Sequence, residues 1–129
     1  MTVQPAASRL AEAEKLVADL VRAVAPAAVA TELLPARKLQ PQPCTDAQAG
    51  LVYYTFDRQF EAGGGVTGAS LVPAIESQLQ SRGFSTHDPG STGGWSTRTA
   101  RNGQLGIDIL GAPAAGTVRI GVDTQCGTP

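Results

Sequence analysis

The stretch Trp95–Cys126, WSTRTARNGQLGIDILGAPAAGTVRIGVDTQC, decides how the rest of the chain is read. Asn102-Gly103 stands between two runs that alternate small polar, β-branched and aliphatic residues, and this dipeptide is the strongest short-range hairpin signal a sequence carries. Trp95–Arg101 is therefore expected to pair antiparallel with Gln104–Gly111. Ala112–Ala115 turns the chain again. In Thr117–Thr124 the residues Val118, Ile120 and Val122 fall on one side, and Thr117, Arg119, Gly121 and Asp123 on the other. Such alternation marks a strand with one buried and one wet face.

Upstream, Leu51–Glu61 (LVYYTFDRQFE) reads as a strand with Val52, Tyr54, Phe56 and Phe60 on one face together with Arg58, stopped by Gly63–Gly65. A helix follows. Thr67 or Ser70 can cap it, Pro73 fits its first turn, Val72, Ile75 and Leu79 form its apolar stripe, and Gly83 supplies a left-handed stop with Phe84 as the apolar contact beyond it. Phe84–Asp88 reads as a further strand and Pro89–Gly94 as a loop. Near the N-terminus, Leu10, Ala13, Val17, Leu20 and Val24 recur at helical spacing and predict a helix over about residues 5–25, ended by Pro26. Ala27–Leu34 is read as a short strand, and Pro35, Pro41 and Pro43 make residues 35–49 an irregular connection that carries Cys44.

Runs of strands with two one-striped helices predict an α+β fold: an antiparallel sheet of about four to six strands with both helices on one face. The sheet and second helix are expected over about residues 50–126, within one domain spanning 1–129. The length, 129 residues with 42% apolar, suits a single core. A formal charge of −1 gives no overall attraction to nucleic acid or anionic membrane, so no nucleic-acid partner is expected. No run approaches the roughly 18 apolar residues of a membrane span, and no basic segment followed by an apolar one opens the chain. If the protein is exported, a signal or lipid-anchor segment precedes Met1 and membrane contact runs only through that anchor. Arg supplies eight of the ten positive charges, as in proteins from GC-rich genomes.

The two cysteines, Cys44 and Cys126, each lie on a turn-rich flank, and neither has a second cysteine or histidine at metal-ligand spacing. A disulfide tying the chain end to an early loop is the favoured reading. On the chain-entropy model so long a closed loop stabilises by about 4 kcal/mol. Two reduced thiols in a cytosolic protein are the alternative. The layout of Pro43-Cys44, VYYTFDRQFE, the helix ending LQSRGF, the Trp95–Ile109 hairpin and the closing VRIGVDTQC resembles small exported and lipoprotein-like domains of actinobacteria. That resemblance implies an extracytoplasmic, disulfide-bonded α+β domain, and it carries over no catalytic or binding residue.

Three constellations invite a functional reading. Gly63, Gly65 and Gly68 match G-x-G-x-x-G, with Asp88 twenty residues on, but the preceding strand carries Asp57, Arg58, Gln59 and Glu61 and tight hairpins replace crossover helices. No cofactor is expected. What survives is an anion-binding loop of Gly65, Thr67, Gly68 and Ser70, using free amides at the helix start. His87 beside Asp88 suggests a hydrolase or transferase, yet neighbours on a strand point to opposite faces and no nucleophile elbow is present, so no catalytic residue is assigned. Arg58, Arg98, Arg101 and Arg119, with Trp95 beside them, are expected on the wet sheet face, either as a binding surface or as an ordinary charged face paired with Asp57, Asp108 and Asp123. No metal site is expected. The leading expectation is a monomeric, non-catalytic envelope or secreted domain that binds a protein or envelope component through the exposed sheet face and the Gly-rich loops at Ala62–Ala69 and Pro89–Gly94. The rivals are an enzyme centred on His87 and a cytosolic adaptor or immunity-type protein with reduced cysteines.

Overall fold

The computed structural model describes residues 5–25, 41–45, 50–90 and 93–129. The expected strand at Ala27–Leu34, and most of the 35–49 connection, lie outside the described residues. The elements in chain order are α1 (Ala6–Val24), β1 (Gln42–Pro43), β2 (Val52–Tyr53), β3 (Thr55–Glu61), α2 (Gly68–Ser81), β4 (Ser85–His87), β5 (Ser96–Arg101), β6 (Leu105–Gly111) and β7 (Thr117–Thr124). Five of the strands form one antiparallel sheet in the order β3-β7-β6-β5-β4, and β1 pairs with β2 in a separate two-stranded unit. Both helices pack on the same side of the sheet, α2 across β4 to β7 and α1 against β7 and α2.

The hairpin signal acts as expected. β5 and β6 pair from Arg101–Gly106 to Ser96–Gly111. Gly103 alone takes positive φ, at 86°, while the Asn102 Oδ1 accepts from the amides of Gln104 and Leu105. Each residue therefore contributes by its own chemistry: glycine tolerates the left-handed backbone, and asparagine mimics a turn with its side chain. β7 then returns along β6 and pairs on its far side with β3. Its alternating Val118, Ile120 and Val122 are fully buried between those neighbours and the helices.

Leu51–Glu61 is not one strand. It divides at Tyr54, whose amide is bound at 2.9 Å by the Thr124 hydroxyl instead of a carbonyl. Thr124 N–H returns a bond to the Tyr54 carbonyl, after which Val52 pairs with Gly127 and β1 instead of with β7. A side chain standing in for a ladder partner ends the strand locally.

α2 ends in a Schellman arrangement. Phe84 N–H donates to the Leu79 carbonyl at 3.0 Å and Gly83 N–H to the Gln80 carbonyl at 3.1 Å, with Gly83 at φ 87°. Phe84 and Leu79 are both buried, which supplies the apolar contact of the motif. Val72, Ile75 and Leu79 of α2 meet Ala13, Val17 and Leu20 of α1 over Ile107, Ile109, Ile120 and Phe60 in one apolar cluster. Each of the larger side chains contributes about 1.5–3 kcal/mol by leaving water, Ala13 less.

The Cys44–Cys126 disulfide is present, with a Cα–Cα distance of 6.3 Å. It joins the two-stranded unit to the C-terminal segment. That segment is also held by the Arg9 Nη1, which donates to the Cys126 carbonyl at 2.9 Å, and by the Ala6 amide, which donates to the Thr128 carbonyl at 3.0 Å. Both ends of the described chain thus meet at one corner of the molecule. Among the described residues no helix is long and apolar enough to cross a membrane.

Candidate functional site

With both helices on one side, the opposite face of the five-stranded sheet is open, and register fixes its occupants. One row across the sheet runs Asp57, Gly121, Asp108, Thr99, His87; the next runs Thr55, Asp123, Gly106, Arg101, Ser85. A third runs Gln59, Arg119, Leu110, Thr97. The motifs Gly106-Ile107-Asp108 and Gly121-Val122-Asp123 therefore meet antiparallel, each aspartate opposite the other strand's glycine. Glycine leaves a low floor that neighbouring side chains cross. Arg101 Nη1 reaches to 3.4 Å from where a Gly106 β-carbon would sit, and Asp57 Oδ1 to 2.9 Å from that of Gly121.

Arg119 Nη2 lies 3.0 Å from the Asp57 carboxylate, and the Thr117 hydroxyl donates to Glu61 Oε1 at 2.7 Å. Both contacts are exposed, so each adds only a few tenths of a kcal/mol while fixing side-chain positions. Asp108, Asp123, Arg101 and His87 stand exposed around them.

The expected arginine cluster does not assemble. Arg58 faces the helix side beside Phe56, its guanidinium 5.2 Å from the ring centroid, because it shares parity with Phe56 and Phe60. Arg98 also lies on the helix side, opposite Ile109, where it meets Glu76 of α2 at 3.3 Å and Asp88 at 3.2 Å. Only Arg101 and Arg119 share the open face, two strands apart and four residue positions offset, about 13 Å along the strand direction. Trp95 is half-buried at the opposite end of β5 from Arg101. For Arg58 the parity is already visible in the alternation with Phe56 and Phe60, whereas for Arg98 it is not. The run Thr97-Arg98-Thr99 offers no apolar alternation to fix its parity, and only pairing with β6 sets it.

The expected anion-binding loop is closed by the protein itself. Gly68 N–H donates to the Ala115 carbonyl at 2.7 Å, Ala69 N–H to the Ala112 carbonyl at 2.9 Å, and Ser70 N–H to Thr67 Oγ1 at 3.3 Å. The amides that would hold an anion are already paired. The glycine at position 68 serves packing: a β-carbon there would collide with the Thr117 carbonyl at the start of β7. Gly65 stands exposed at φ 75°, outside that cradle.

His87 is exposed on the edge strand β4, opposite Thr99. The Asp88 carboxylate is engaged elsewhere, by Arg98 and by the Gly90 amide at 2.9 Å, so it does not orient the imidazole. The residues sequence reasoning missed are Gly106 and Gly121. Their repeat as G-x-D in two successive strands is the signal that marks them, once the strands are known to pair in that register. Searches against known proteins find no matching family model, no matching curated protein and no matching solved structure.

Proposed function

We propose that this chain is an exported, non-catalytic domain that binds a protein or envelope component through the open sheet face. The observation that carries the reading is the one-sided architecture. The helices cover one face from β4 to β7, and the other presents Asp108, Asp123, Arg101, Arg119 and His87 around a floor lowered by Gly106 and Gly121. Mixed charge on a flat floor suits recognition of an extended polar surface more than enclosure of a small molecule. The Cys44–Cys126 disulfide fits an oxidising compartment, where such bonds persist.

Two measurements test it. In the source cell, a membrane-impermeant protease should digest the chain while a cytosolic marker survives, and the cysteines should resist alkylation until reduced. An Arg101→Glu, Arg119→Glu double variant should lose retention of envelope material under conditions where Arg22→Glu on α1 keeps it. A protected chain with freely alkylated thiols overturns the compartment. Equal retention by both variants overturns the surface.

A further inference from the structure

The sheet has two edges, and they differ. β4 is only three residues long, whereas β3 runs seven residues and has β7 as its sole strand partner among the described residues. The flanking bonds fix which groups are committed. Tyr54 accepts from the Thr124 amide at one end and Ala62 donates to Gly116 at the other, so by antiparallel alternation Phe56, Arg58 and Phe60 bond to β7. The N–H and C=O groups of Thr55, Asp57, Gln59 and Glu61 are directed away from the sheet.

Charge on this edge selects among occupants. Asp57 and Glu61 project to the open face, Arg58 to the helix face. A second copy of β3 docking antiparallel would set Asp57 against Asp57, Arg58 against Arg58, or Asp57 against Glu61, depending on register, and like charges across strands oppose pairing. A strand with basic residues on the open-face side and apolar residues on the other complements it: the basic residues meet the carboxylates of Asp57 and Glu61, and the apolar ones add no like charge beside Arg58, since Phe56 and Phe60 are already buried in the core. We propose that the outer edge of β3 is a strand-addition site for an extended peptide segment with alternating basic and apolar residues. This goes beyond the open-face reading: it engages backbone at the rim, not side chains at the centre of the sheet.

The experiment uses the full, oxidised chain and the capped peptide Lys-Val-Lys-Val-Lys-Val-Lys. Amide exchange followed by NMR should slow about tenfold or more at Thr55, Asp57, Gln59 and Glu61 on addition of peptide, with Phe56, Arg58 and Phe60 unchanged. The Glu-Val counterpart should leave all of them unchanged. Gln59→Pro removes an outward N–H that no described strand uses, which an edge tolerates, and should abolish the protection at an unchanged melting temperature. Should that variant unfold, a Lys-Val peptide N-methylated on its bonding residues replaces it, and loss of protection is again expected. Protection that appears without peptide and rises with protein concentration overturns the proposal in favour of a second copy. Shifts confined to Asp108, Asp123 and Arg119 overturn it in favour of the open face, and no change at millimolar peptide overturns it outright.

Discussion

Arg98, on the helix side of β5, places its Nε 3.3 Å from the Glu76 carboxylate on α2. Both side chains are about four-fifths buried, at 21% and 23% exposure, so the pair sits where water screens it less than at the surface. The same guanidinium reaches Asp88, at 58% exposure, just after β4. One side chain thus joins the second helix, β5 and the segment after the edge strand.

A double-mutant cycle on Arg98→Met and Glu76→Gln, read by urea unfolding, should give a coupling of about 1 kcal/mol. Asp88→Asn should change stability by less than about 0.5 kcal/mol, because its carboxylate is mostly in water. Equal losses from both acids would show that the helix contact is not the stronger one.

Gly68 is set by contact, not by backbone freedom. A β-carbon there falls on the Thr117 carbonyl, so Gly68→Ala must push α2 away from the start of β7 and break the Gly68–Ala115 and Ala69–Ala112 bonds to the β6–β7 turn. A loss of about 3 kcal/mol is expected. Gly65→Ala, with open space around it and only its φ of 75° against it, should cost about 1 kcal/mol. Thermal melts of the two variants check the order.

The stop of α2 makes a further prediction. Gly83→Ala forces a β-carbon into the left-handed region at φ 87° and should cost about 1 kcal/mol, while Phe84→Ala empties a site that is 6% exposed and should cost about 3 kcal/mol. Denaturant unfolding of both variants measures the split between backbone strain and lost packing.

Reducing Cys44–Cys126 should lower stability by about 4 kcal/mol and the melting temperature by about 10 °C or more, because the bond closes a loop of 82 residues' separation. The core contains neither cysteine, so the reduced protein should still fold. A far-ultraviolet spectrum unchanged at 20 °C on adding a dithiol, with a lowered melting midpoint, is the expected result. Complete loss of structure at that temperature would mean that the bond, not the core, holds the sheet together.

Local order is legible in the residues alone. Helical spacing in Leu10–Val24 and Val72–Leu79, the glycine at 83, the Asn102-Gly103 turn and the strict alternation of Thr117–Thr124 each fix a backbone period or a φ angle within a few residues, and the two helices, the β5–β6 hairpin and β7 follow from them. The disulfide was legible too, since the chain offers only two cysteines. Placement between elements is not. Nothing in Thr55–Glu61 states that it will lie beside Thr117–Thr124 at the sheet's edge, nor in Thr97-Arg98-Thr99 that the arginine turns toward α2. Nor does the glycine run before α2 reveal that the helix amides will be taken by Ala112 and Ala115. A strand's own residues set its period of two. Which of its faces is buried, and which strand is its neighbour, depends on groups outside its own run, such as β7 for β3 or Glu76 for Arg98.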